Sequence, residues 1–262
     1  MHEHPFSMSV RIACLFVPDF ALQVTIQQLG EEPEGGLALV DPDDGRRLIV
    51  AASPAARLDG VKRGMSAIAA GSIAPELTVR EVDAGALARA HAALEDAIRS
   101  VTPTFETAGG GVAYAAFDGL ERTYLEEGEG GFLDELREAA RSLGLPARVG
   151  MAGSRFAARA AAILEGRLPG YGVAPARVPT GTEAAFLAPL PLELLPDALE
   201  EIAALQKLGV RSLGAFAELP PGGVARRFGL KGTALHRLAR GLDRNTLVPC
   251  PEARLRWLQV LG

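Results

Sequence analysis

Residues 147–165 read ARVGMAGSRFAARAAAILE, a strand at 147–152 running into a helix at 154–165. Upstream, AGALARAHAALEDAIRS (84–100) is an amphipathic helix with Leu87, Ala90, Leu94 and Ile98 on one stripe. Residues 103–118 alternate weakly around a glycine triplet and predict two antiparallel strands, and GGFLDELREAARSL (130–143) predicts another helix. Nearer the start, VRIACLFV (10–17) is a continuous apolar run of the kind a buried strand shows. The combined order, β…αββαβ with a trailing helix, is the ferredoxin-like order of a split sheet, with helices expected on one face.

Between the first strand and residue 84 the elements are shorter. Pro18-Asp19 ends the strand, Asp19 is placed to cap the helix FALQVTIQQL, and Gly30 to stop it. GLALVD (36–41) and RRLIVAAS (46–53) flank PDDG and predict a hairpin. Residues 53–75 read as short helices and turns broken at Gly60, Gly64 and Gly71. After about residue 169 only short helices joined by Gly/Pro turns follow, which predicts a separate all-helical module.

Composition narrows the function. The chain has 262 residues, 48% hydrophobic and 23% charged, the profile of an ordinary globular protein, and no apolar run approaches a membrane span. Its first twenty residues lack the basic-then-apolar order of a secretory signal, and two cysteines, Cys14 and Cys250, cannot build a disulfide framework, so a cytoplasmic location is expected. Aromatics at 5% argue against a stacking-dominated single-strand binder. Net charge is −5, but residues 1–168 carry 16 Lys+Arg against 24 Asp+Glu, while 169–262 carry 11 against 8. The basic excess is densest over 204–244, either a phosphate-binding face or a set of solvated arginines.

Four segments in order resemble the Y-family translesion DNA polymerases: AASPAARLDGVKRGM (51–65), GVAYAAFD (111–118), VGMAGSRFAARAAA (149–162) and the run from FLAPLPLELLP through LQKLGVRSLGAFAEL to RRFGLKGTALHRLARGLD. The resemblance implies an α+β protein: a ferredoxin-like palm (1–20 and 80–168), a small fingers subdomain (21–79) and an all-helical, helix–hairpin–helix-like thumb (169–244). Residues 245–262 would be a linker toward a missing little-finger domain.

Polymerisation by two metal ions needs converging carboxylates, since hard Mg²⁺ takes oxygen ligands. Matched by motif, the family's acidic positions fall on Leu15, Ala113 and Tyr114, none of which is a ligand. Asp19 reads as a helix cap, Asp118 lies about 13 Å along the strand from Tyr114, and Glu106 and Glu121 have no clear partner. His2, His4, His91 and His236 show no metal-ligand spacing. The expectation is therefore of no metal, no cofactor and no enzyme.

The family's triphosphate-contacting Tyr and Arg match Pro54 and Arg57, which leaves Arg57 either a remnant phosphate contact or half of a surface ion pair. In the thumb, Arg226, Arg227, Lys231, Arg237, Arg240 and Arg244 are the DNA-binding candidates, near glycine turns that open helices. The first thumb hairpin reads PDALEE (196–201), so Asp197, Glu200 and Glu201 stand where phosphates would sit. With no metal carboxylates the chain looks like an N-terminal portion of an ImuB protein, and that resemblance implies a non-catalytic accessory of damage-induced mutagenesis. Its partners would be DNA (weakly and without sequence preference), a RecA-like ImuA protein, an error-prone replicative-type polymerase, and the sliding clamp through a region absent from this chain. An active metal-dependent polymerase and a scaffold that never touches DNA are the alternatives.

Overall fold

The computed structural model describes residues 11–165, 176–243 and 247. In chain order β1 (Ile12–Phe16) leads to α1 (Phe20–Leu29), β2 (Leu37–Val40), β3 (Ile49–Ala52), α2 (Pro54–Leu58), α3 (Ala67–Ile73) and β4 (Thr78–Glu81). Next come α4 (Ala84–Val101), β5 (Phe105–Gly109), β6 (Val112–Ala116), α5 (Gly128–Arg141), β7 (Arg148–Ala152) and α6 (Arg155–Leu164). Among the described residues four α-helices, with a 3-10 turn at Leu192–Leu194 between the first two, complete it: α7 (Glu183–Leu187), α8 (Leu199–Lys207), α9 (Leu213–Ala217) and α10 (Pro221–Ala239).

The main sheet has the order β5-β6-β1-β7, antiparallel throughout, which is the ferredoxin-like arrangement expected from the element order. Its residues alternate between faces with the period of two that any strand imposes. Ala13, Leu15, Ala113, Ala115, Val149 and Met151 pack against α4 and α5 through Leu94, Ile98, Phe132 and Leu136. Ile12, Cys14, Tyr114 and Ala152 turn the other way, toward α6. Helices on one face only is thus corrected, because β1 is apolar on both sides and each side needs a cover.

The α6 cover is unusually close. An added Cβ at Gly150 would lie 2.4 Å from the Ala162 nitrogen and 2.6 Å from the Ala158 carbonyl oxygen, so glycine is required by contact rather than by a turn. The helix answers with Ala157, Ala158, Ala160, Ala161 and Ala162, all buried. Ser154 starts it by accepting the Ala157 N–H at 3.3 Å. At the outer edge of β7, residues 176–178 add a short parallel pairing at Met151. Arg11 secures that strap, donating to both Glu129 oxygens at 2.6 and 2.9 Å and to the Val178 carbonyl at 2.9 Å.

A second, three-stranded sheet has the order β3-β2-β4, with β2 antiparallel to β3 and parallel to β4. The hairpin expected around PDDG is present, although its second strand starts at Ile49. Buried Ser53 accepts the Leu37 N–H at 3.0 Å and caps α2, with Pro54 in the first turn.

The region after residue 176 is helical, as expected, but its core is not separate. Leu187, Leu192, Leu205, Leu213, Phe216, Val224 and Leu235 form one apolar cluster with Phe156 and Ala161 of α6. The buried Glu183 carboxylate accepts the Gly153 N–H at 3.0 Å, and Asp243 accepts the Phe156 N–H at 3.1 Å, so two acids from the helical region sit on the start of α6. No helix among the described residues is long and apolar enough to cross a membrane.

Gly150→Ala should lower the unfolding free energy by about 3 kcal/mol, because the new methyl meets backbone that cannot rotate away. A urea midpoint shifted down at unchanged slope is the expected result.

Candidate functional site

The strand register decides how the three motif-matched positions relate. Leu15 stands opposite Ala113 and Cys14 opposite Tyr114. Leu15 and Ala113 therefore look into the α4/α5 core, whereas Tyr114 looks toward α6. Leu15 and Ala113 are thus direct cross-strand neighbours, and none of the three side chains carries a carboxylate. Burial pushes the Cys14 thiol up to about 12 and raises the Tyr114 hydroxyl above its ordinary range.

On the α6 face a polar cluster exists that the sequence did not reveal. Glu106 is the cross-strand neighbour of Tyr114. Arg155, at the start of α6, donates to its two oxygens at 2.8 and 3.2 Å while its guanidinium lies 4.4 Å from the centre of the Tyr114 ring. Glu106, expected to lack a partner, is thus paired, and Glu121 accepts the Gly119 N–H at 3.0 Å. Asp118 accepts the Arg11 N–H at 3.1 Å; its carboxyl is raised, first by burial and then by the charge of Glu121. Among the described residues no three His, Cys, Asp or Glu side chains come together as metal ligands. The described residues do not fit the family's metal pair.

Asp19 corrects a second expectation. Its side chain makes no capping hydrogen bond, and its backbone takes φ 51°, ψ 40°, a left-handed conformation that aspartate tolerates better than most residues. The carboxylate instead faces Arg57, with the closest N–O distance 3.3 Å and both side chains well exposed. Arg57 is therefore half of a surface ion pair. Beside them a cleft of about 450 Å³ opens between the β1–α1 turn and α4, lined by Phe16, Phe20, Ala51, Leu87 and His91. His91 contacts Glu95 at 3.3 Å.

The six basic candidates of the helical region separate into groups. Gly229 (φ 63°, ψ −152°) breaks α10 into two helical halves. Arg226, Arg227 and Lys231 flank this kink and all are exposed. Among the described residues no carboxylate pairs with Arg226 or Arg227, while Lys231 donates to Glu201 at 3.0 Å. Arg237 and Arg240 sit at the far end of the helix, where a cation also offsets the helix dipole. Arg244 lies outside the described residues, as do His2 and His4. In the first hairpin Asp197 takes φ 47°, making the turn without glycine.

A ferredoxin-like sheet joined to a small second sheet and a kinked-helix module is an architecture with solved counterparts. DinB from Sulfolobus solfataricus superposes with a TM-score of 0.70 at 20% identity, over 91% of this chain and 69% of that one. A Dbh ternary complex gives a TM-score of 0.69 at 19% identity over 90% and 68%. The fold is that of the Y-family polymerases. Residues 15–162 match the impB/mucB/samB family, and the chain belongs to it. Among curated relatives, DNA polymerase IV of Dehalococcoides mccartyi (strain CBDB1) is 28% identical over 215 residues, covering 80% of this chain and 52% of the relative. DNA polymerase IV of Caulobacter vibrioides is 26% identical over 205 residues, 78% and 50%. The chain spans about half the length of the curated relatives it matches.

These relatives overturn the expectation that the chain is no enzyme: they are named as polymerases.

Arg155→Ala should cost about 2 kcal/mol of stability, since it strips a stacked cation from Tyr114 and leaves Glu106 facing that ring. In the Arg155→Ala background Glu106→Gln should return about 1 kcal/mol, read as the interaction energy of a double-mutant cycle. Additive effects would show that the pair contributes nothing.

Proposed function

We propose that this chain serves translesion DNA synthesis as a DNA-holding Y-family module, an ImuB-type adaptor working in the cytoplasm. It brings an error-prone replicative-type polymerase, a RecA-like ImuA protein and the sliding clamp together near DNA. Residues 1–20 and 80–168 act as palm, 21–79 as fingers and 169–244 as thumb. The observation that carries the reading is the kink at Gly229, where a helix restarts beside exposed Arg226 and Arg227, neither of which has a carboxylate partner among the described residues. Free N–H groups at such a restart, with cations beside them, suit backbone phosphates and read no base edges.

A second reading has its own support. The relatives' name, DNA polymerase IV, favours nucleotide incorporation by this chain itself. Primer extension with Mg²⁺ or Mn²⁺ separates the two: incorporation above buffer selects the polymerase, and salt-dependent duplex binding without it selects the adaptor.

For the thumb, log K for a duplex should fall with log[salt] at a slope of about −2 to −3, equally for unrelated sequences. Replacing Arg226 and Arg227 with alanine should flatten that slope by about 2. An unchanged slope would move the DNA contact elsewhere.

A further inference from the structure

Of the cations flanking the kink, Lys231 alone is paired among the described residues, and its partner comes from the other hairpin. Glu201 stands in the first turn of α8, where the helix dipole already favours a carboxylate. Its side chain is 13% exposed against 53% for Lys231, so the acid is the anchored member and the lysine the one that reaches. The hydrogen bond from Lys231 holds the Glu201 carboxyl below the usual carboxylate range.

An arriving phosphate thus meets two kinds of cation at this kink. Among the described residues neither Arg226 nor Arg227 has an anion to give up, Arg227 resting only 5.6 Å from the centre of the Phe228 ring. Lys231 has to exchange one anion for another, and that exchange releases no counterion. We infer that Glu201 is a built-in competitor of DNA: by occupying Lys231 it removes one phosphate contact from the second thumb hairpin and holds the affinity of the thumb down. The inference rests on the thumb reading above and adds what regulates that surface. It also couples the hairpins, because any change that draws the start of α8 away from α10 releases a cation beside the kink.

Binding of the full chain to a fluorescent duplex, titrated with salt, tests it. Glu201→Gln should steepen the slope by about 0.9 and raise affinity about 8-fold near 0.1 M salt, the counterion term for one more phosphate. Lys231→Ala should abolish the gain in the Glu201→Gln background. Glu200→Gln is the control, since it deletes the same charge from the adjacent exposed residue. Equal gains from Glu200→Gln and Glu201→Gln would reduce the effect to overall field and overturn the inference. So would an inert Glu201→Gln beside a slope that Arg226 and Arg227 control. If no variant binds DNA with a salt slope, the thumb reading itself falls and takes this one with it. Urea midpoints of the variants verify that each remains folded.

Discussion

The contact between β7 and α6 sets the geometry of everything around the main sheet. Gly150 leaves no room for a methyl group between strand and helix. The five buried alanines of α6 supply the matching flat surface. With the helix that close, its first turn reaches the neighbouring strands, and Arg155 arrives over Tyr114 and against Glu106. Close packing of small residues here does the work that larger side chains do in the α4/α5 core.

Around the sheet, acids are taken up one at a time. Glu106 is held by Arg155, Asp19 by Arg57, and Asp118 by the backbone of Arg11. Glu129 holds the Arg11 side chain, which in turn fastens residues 176–178 to the sheet edge. The helical region shows both behaviours within one short stretch, with two arginines lacking a carboxylate partner among the described residues and one lysine occupied. Exposed pairs such as Asp19–Arg57 add little stability, so their importance lies in which charges they leave available.

Much of the fold was legible because periodicity is local. The apolar run at β1, the stripe of α4 and the strand-to-helix passage at 147–165 follow from neighbours within one element, and the sheet order follows from their sequence. Strand β4, TVRE, escaped notice because it is four residues long and at best half buried. The site was less legible. Arg155 and Glu106 are 49 residues apart, and Lys231 and Glu201 are 30, so neither pair leaves a spacing signature. Alternation alone could have placed Glu106 beside Tyr114, since both belong to one hairpin. Asp19 followed the residue preference for a helix cap, but its left-handed backbone points the carboxylate elsewhere. The inference from missing carboxylates to a missing activity rests on three motif-matched positions alone, and the relatives named as polymerases stand against it.

The two carboxylates resting on the start of α6, Glu183 and Asp243, come from opposite ends of the described helical region, one in its first helix and one just past its last. They grip it as a clamp grips a rod, from both sides of the chain that lies between. A swing of that region away from the sheet would strand two amide hydrogens at a helix end and expose apolar surface in the same stroke. Motion along this seam is therefore dear, and flexing within the hairpins beyond it is comparatively cheap.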